Sequence, residues 1–100
     1  MELYDLLQPE AVKVVAAASS KKRVLHDMAQ LAANCYNMHS EVLLDALLER
    51  EKLGPTGVGH GVALPHARSI DVDRVCGAFI LLESPVDFGS VDKLPVDIIF

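Results

Sequence analysis

The sequence predicts an α/β layered domain, and three observations carry that reading. Two segments, 21–35 and 41–52, place apolar residues at helical spacing. Two others, 74–82 and 96–100, are apolar on both alternating faces, as in strands covered on both sides. Strands and helices also alternate along the chain, which is the order of a layered α/β unit. One hundred residues, 51% of them apolar and 23% charged, suit one globular domain over residues 1–100 rather than a disordered chain.

Taken in order, residues 12–18 (VKVVAAA) follow Pro9, are rich in β-branched side chains, and predict a first strand. Ser19 and Ser20 offer an N-cap to a helix whose stripe is Val24, Leu25, Met28, Leu31, Ala32 and Cys35. A second helix is predicted from after Ser40 to about Lys52, with Gly54 and Pro55 as its stop. At about 100° per residue, Arg50 falls roughly 20° from Leu43 around that helix, so it projects along the buried stripe. Glu49 and Lys52 flank the apolar arc instead.

Residues 56–61 read as a loop, Val62–Leu64 as a short strand, and 74–82 as an interior strand. Pro85, Gly89 and Pro95 make 83–95 an irregular connection, with room for one short strand at Val86–Phe88. Residues 96–100 predict a last interior strand, which leaves a core strand without the covering elements that normally follow one.

Nine Lys+Arg against fourteen Asp+Glu give a net charge of −5, which argues against a general nucleic-acid binder. No apolar run approaches the eighteen or so residues of a membrane span. Met1 is followed by Glu2 and Asp5 rather than by a basic, then apolar, leader, so a cytoplasmic protein without membrane insertion is expected. Cys35 and Cys76 lie inside apolar patterns without a C-x-x-C spacing, and read as buried thiols rather than a disulfide.

Gly57, Gly59 and Gly61 form a G-x-G-x-G, but with a helix before and a strand after, the reverse of a dinucleotide-binding turn. A flexible connection is the simple reading, and an anion held by backbone N–H groups the more specific one. His60 and His66 lie roughly 20 Å apart if the residues between them are extended at about 3.3 Å each. No Cys or acidic residue stands between them, so no metal site is expected. His66 alone is more informative, because it follows Pro65 at a strand end, where α/β folds place reactive groups. An imidazole can act as a nucleophile near neutral pH without a separate base. Arg50 and Arg68 are the cations that would stabilise a transferring anion. Their ordinary alternatives are a helix C-terminal partner for Arg50 and a solvated charge for Arg68. His26, His39 and the scattered Asp71, Asp73, Asp87, Asp92 and Asp97 read as surface or turn residues.

The run Leu48-Glu49-Arg50-Glu51-Lys52, then Pro55-Thr56-Gly57-Val58-Gly59-His60-Gly61-Val62-Ala63-Leu64-Pro65-His66-Ala67-Arg68, resembles a known family. It is similar to the type-2 (fructose/mannitol-class) enzyme IIA domain of the bacterial phosphoenolpyruvate:sugar phosphotransferase system, closest to its nitrogen-regulatory branch. Pro85-Val86-Asp87-Phe88 and Leu94–Phe100 extend the likeness over nearly the whole chain. The resemblance implies a layered sandwich with a mixed central sheet flanked by helices, in a family whose domain continues past the position of Phe100. It also implies a phosphocarrier in which His66 accepts a phosphoryl group from the histidine phosphocarrier protein, without metal or cofactor. Arg50 then pairs with that group, and Thr56, Gly57, Gly59 and Gly61 form the phosphate-binding loop. Arg68 is a further candidate, as is His60, which stands where the family often has Asn. Regulatory protein targets would read the state of His66. The alternatives are a sugar-transport enzyme IIA and a protein-interaction domain that transfers nothing.

Overall fold

The computed structural model describes residues 2–68 and 74–100. A short helix α1 (Leu3–Leu6) leads into β1 (Leu7–Val15), followed by helices α2 (Lys21–Tyr36) and α3 (Ser40–Lys52). The chain then forms β2 (Gly57–Gly59), β3 (Val62–Ala63), β4 (Gly77–Val86) and β5 (Val96–Ile99). The five strands make one mixed sheet in the order β1-β4-β5-β3-β2. β1 runs parallel to β4 and β3 parallel to β5, while the β4–β5 and β2–β3 pairs are antiparallel. The α/β class and the mixed sheet are therefore as the sequence and its resemblance imply.

Local chemistry explains the helices. The Ser20 hydroxyl accepts the Arg23 amide at 3.2 Å and caps α2. Asn37 closes that helix in the left-handed region at φ 56°, a conformation Asn tolerates better than most residues. On α3 the buried stripe is Leu43 and Leu47, and half-buried Arg50 continues it one turn further on.

The first strand begins earlier than predicted, at Leu7, and ends at Val15 rather than Ala18. Pro9 is accommodated because β1 lies at the sheet edge and its register to β4 shifts between Leu7 and Val12. β4 likewise runs on through Pro85 to Val86, across a register shift opposite β5, so the strand proposed at Val86–Phe88 is not a separate element.

The core holds Val24, Leu25, Met28 and Ala29 of α2 against Ala11, Ala78, Ile80, Leu82, Ala63 and Ile99 of the sheet. Among the described residues the cover on both faces that the patterning of 74–82 predicts is only partial, with Phe79 and Ile98 half-buried on the face away from α2. Val12 pairs with Phe79, Val14 with Leu81 and Leu81 with Ile98 on the opposite face, where Val12, Val14 and Leu81 stay exposed. Periodicity reports how apolar a face is, not whether another element lies on it. Cys35 and Cys76 are free thiols and half-buried rather than buried.

Tyr36 ties three elements together. Its hydroxyl accepts the Gln8 amide at 3.1 Å and faces the carbonyls of Gly77 at 2.6 Å and Leu6 at 3.0 Å. Burial pushes the Tyr36 phenol above the ordinary value of 10.0.

Candidate functional site

The loop predicted at 56–61 is a β-hairpin. β2 and β3 pair antiparallel, with Gly59 opposite Val62, and His60-Gly61 form the two-residue turn. His60 at φ 56° and Gly61 at φ 79° both occupy the left-handed region, as a type I′ hairpin turn demands. The Asp92 carboxylate fastens this tip, accepting the His60 amide at 2.9 Å and the Leu94 amide at 3.1 Å. Those two N–H donors, His60 first, hold the Asp92 carboxyl below its ordinary value of 3.8.

The three glycines face protein groups. An added Cβ at Gly57 would meet the Ser90 hydroxyl, at Gly59 the Asp92 carboxylate, and at Gly61 the Asp97 carboxylate. The tip thus carries carboxylates where an anion cradle would need bare N–H groups.

Thr56, just before the hairpin, is buried, and both of its donors point at one carboxylate. Its amide donates to Glu51 Oε2 at 2.7 Å, and its hydroxyl donates to Glu51 Oε1 in a short hydrogen bond. Lys21, at the start of α2, pairs with the same carboxylate at 3.3 Å and donates to the Phe88 carbonyl at 3.2 Å.

The chain leaves β3 through Leu64 and Pro65 to reach His66. The imidazole Nδ1 lies 3.0 Å from the Leu64 carbonyl. A carbonyl only accepts, so this contact calls for the ring proton on Nδ1 and leaves the Nε2 lone pair as an acceptor. Arg50 comes from the end of α3 to meet it, donating from Nε to His66 Nε2 at 3.3 Å. Its Nη1 donates to the Gly54 carbonyl at 2.9 Å, just past the helix. Arg50 therefore bonds a carbonyl beyond the helix rather than one of the helix's own last carbonyls, and also meets His66. The side chain of His66 is exposed, so an approaching group has access to it.

Beside His66 is a cavity of about 750 Å³ with an apolar floor that includes Met28, Leu43, Leu47 and Phe100. Among the described residues its ionisable lining is His66, Arg68, Arg74 and Cys76, without a carboxylate, in a chain of net charge −5. Arg68 thus shares a wall with His66 but contacts neither it nor Arg50 in any hydrogen bond among the described residues. His60 lies at the hairpin tip, the other end of β3 from His66, so the two histidines do not converge. Asp71 and Asp73 fall outside the described residues.

Sequence reasoning singled out the histidine and arginine, but not Glu51, Lys21 or Asp92. A Glu five residues before a Thr, across a Gly-Pro helix stop, is the only trace of the Glu51–Thr56 bond. Nothing local marks Lys21 or Asp92, whose partners lie 30 and 32 residues away.

The fold and the match define the class of this domain: residues 5–100 match the family model of the phosphoenolpyruvate-dependent sugar phosphotransferase system, EIIA 2, and the chain belongs to that family. Within it, the chain stands on the nitrogen-regulatory branch. It is 40% identical over 100 residues to a nitrogen regulatory protein of Bradyrhizobium diazoefficiens, covering all of this chain and 65% of that protein. With a nitrogen regulatory protein of Escherichia coli K12 the identity is 38% over 101 residues, covering 62% of that protein. The fold matches the crystal structure of nitrogen regulatory protein IIA-Ntr from Neisseria meningitidis with a TM-score of 0.88 at 35% identity. That match covers 96% of this chain and 66% of the other. The chain therefore spans a little under two thirds of the length of these relatives. Among the described residues no helix is long and apolar enough to cross a membrane.

Proposed function

We propose that this chain carries a phosphoryl group on Nε2 of His66, received from a histidine phosphocarrier protein. The observation that supports the reading best is the placement of the ring, with Nδ1 3.0 Å from the Leu64 carbonyl and Nε2 3.3 Å from Arg50 Nε. A proton on Nδ1, given to the Leu64 carbonyl, makes Nε2 the nucleophile, whose lone pair accepts from Arg50 until transfer. In the transfer, the Nε2 lone pair forms the new N–P bond as the donor's N–P bond breaks. No proton leaves His66, and Nδ1–H stays on Leu64. Arg50 releases the lone pair and turns its N–H groups to the phosphoryl oxygens, while its bond to Gly54 keeps the guanidinium in place. Alignment and charge supply the catalysis, so no metal is required. Arg68 adds positive charge on the approach side. Thr56 and the glycines shape the hairpin that delivers His66.

The likeness to nitrogen regulatory proteins supports a regulatory output in the cytoplasm, in which the phosphorylation state of His66 sets which protein targets bind. Intact-mass spectrometry after incubation with phosphoenolpyruvate, enzyme I and the histidine phosphocarrier protein tests this, with His66→Ala as control. One acid-labile phosphoryl group on the wild type and none on the variant is expected. No phosphoryl group on either would overturn the carrier reading and leave an interaction domain. Onward transfer to an enzyme IIB domain would place the chain with the sugar transporters instead.

A further inference from the structure

Arg50 and Glu51 are neighbours at the end of α3, and between them they hold both strands of the hairpin at its open end. Arg50 holds the exit, at His66, and Glu51 holds the entrance, at Thr56. The Glu51 side chain is only 7% exposed, and Thr56 is 4% exposed. From Glu51 a continuous series of hydrogen bonds runs to the reactive imidazole. Thr56 gives both its donors to Glu51, and the Thr56 carbonyl accepts the Leu64 amide at 2.9 Å. The Leu64 carbonyl in turn faces His66 Nδ1 at 3.0 Å. Lys21 anchors the far end, with its ammonium 3.3 Å from Glu51 Oε2 and 5.4 Å from the centre of the Phe88 ring. Each link fixes the next: residue 56 sets the height of Leu64, and Leu64 sets the ring that faces Arg50.

We propose that Glu51 is a positioning residue for His66, which through Thr56 and Leu64 fixes the Nδ1–H tautomer and the ring's placement opposite Arg50. The inference rests on the phosphocarrier reading for its kinetic consequence, but not for its structural one. Glu51 touches neither the imidazole nor an incoming phosphoryl group. Its effect is to keep two groups on different elements within hydrogen-bond distance, and a misplacement of about 1 Å at such a site can cost ~100-fold in rate.

The test uses Glu51→Gln, Thr56→Val, Thr56→Ser and the Glu51→Gln/Thr56→Val pair. The first readout is the ¹⁵N chemical shifts of the His66 ring in the unphosphorylated chain, which report the tautomer without any transfer. The second is the rate of phosphorylation by the phosphorylated histidine phosphocarrier protein. Glu51→Gln is expected to shift His66 from the Nδ1–H form toward a mixture of tautomers and to slow transfer by about 10- to 100-fold. Thr56→Val, which keeps its amide bond to Glu51, should be milder, Thr56→Ser near wild type, and the pair no worse than Glu51→Gln alone. If Glu51→Gln unfolds the chain, Thr56→Val still reads the link, because it leaves the Lys21–Glu51 pair intact. Wild-type ring shifts in folded Glu51→Gln, or in Thr56→Val where only that variant folds, would overturn the proposal. So would losses that simply add in the pair. If the wild type accepts no phosphoryl group, the carrier reading fails, while the ring shifts still decide the role of Glu51.

Discussion

Gly57 lies with its bare α-carbon against the buried hydroxyl of Ser90. A Cβ built there would stand 2.1 Å from Ser90 Oγ and 3.1 Å from Ser90 Cβ. This is the point where the 87–95 segment is pressed against the hairpin that carries His66, and it leaves no room for a methyl group. Among the described residues Ser90 Oγ has no hydrogen-bond partner, so the contact is steric and not polar.

Gly57→Ala is therefore expected to destabilise the chain by about 2 kcal/mol, within the range for overpacking. Ser90→Ala removes an unsatisfied buried hydroxyl and should be neutral or stabilising by about 1 kcal/mol. The double variant should recover part of the Gly57→Ala loss, since the nearest clash has gone. Urea denaturation of the four proteins gives the coupling, and purely additive values would mean that the strain lies elsewhere.

Tyr36→Phe strips a partner from the Gln8 amide and from the Leu6 and Gly77 carbonyls, at a cost of about 1–3 kcal/mol near neutral pH. The pH dependence follows from the raised phenol. The native state binds that proton more tightly than the unfolded chain, so its contribution is complete below pH 10.0 and is lost as pH rises through the native value. Denaturation midpoints at neutral and alkaline pH should show this fall in the wild type and its absence in Tyr36→Phe.

At the hairpin tip, His60 holds a left-handed conformation that costs a side-chain-bearing residue about 1 kcal/mol and that Asn adopts more readily. His60→Asn should raise stability by roughly 0.5–1 kcal/mol by thermal denaturation, with phosphorylation of His66 unchanged.

Asp92 supplies an acid-side signal at the same turn. Its carboxyl is held low by the His60 and Leu94 amides, so the bonds are complete above pH 3.8 and lost as pH falls through the native value. The His60 amide proton shift, followed by NMR, should titrate below pH 3.8 in the wild type and stay flat in Asp92→Asn.

Arg50→Lys keeps the charge but not the fork that reaches Gly54 and His66 together. Phosphorylation should slow by about 10- to 100-fold, while stability changes by less than ~1 kcal/mol. An unaltered rate in the mass-spectrometric assay would show that charge alone is sufficient at this position.

The sequence by itself determined what local physics encodes. The Ser20 cap, the α2 stripe and the Gly54-Pro55 stop set both long helices to within a residue or two. Leu43 and Arg50 are seven residues apart, so helical geometry alone places the arginine on the buried stripe. Gly59-His60-Gly61 was legible as glycine-rich, but not as a type I′ hairpin, since turn type depends on how the flanking strands pair. Tertiary structure alone decided the rest. It brought Arg50 to Nε2 of His66, Lys21 to Glu51 and Asp92 to the turn, and it decided which sheet face α2 covers. Those contacts join residues 16 to 32 positions apart through space. No local period or propensity records such a pairing; it is set when the elements pack.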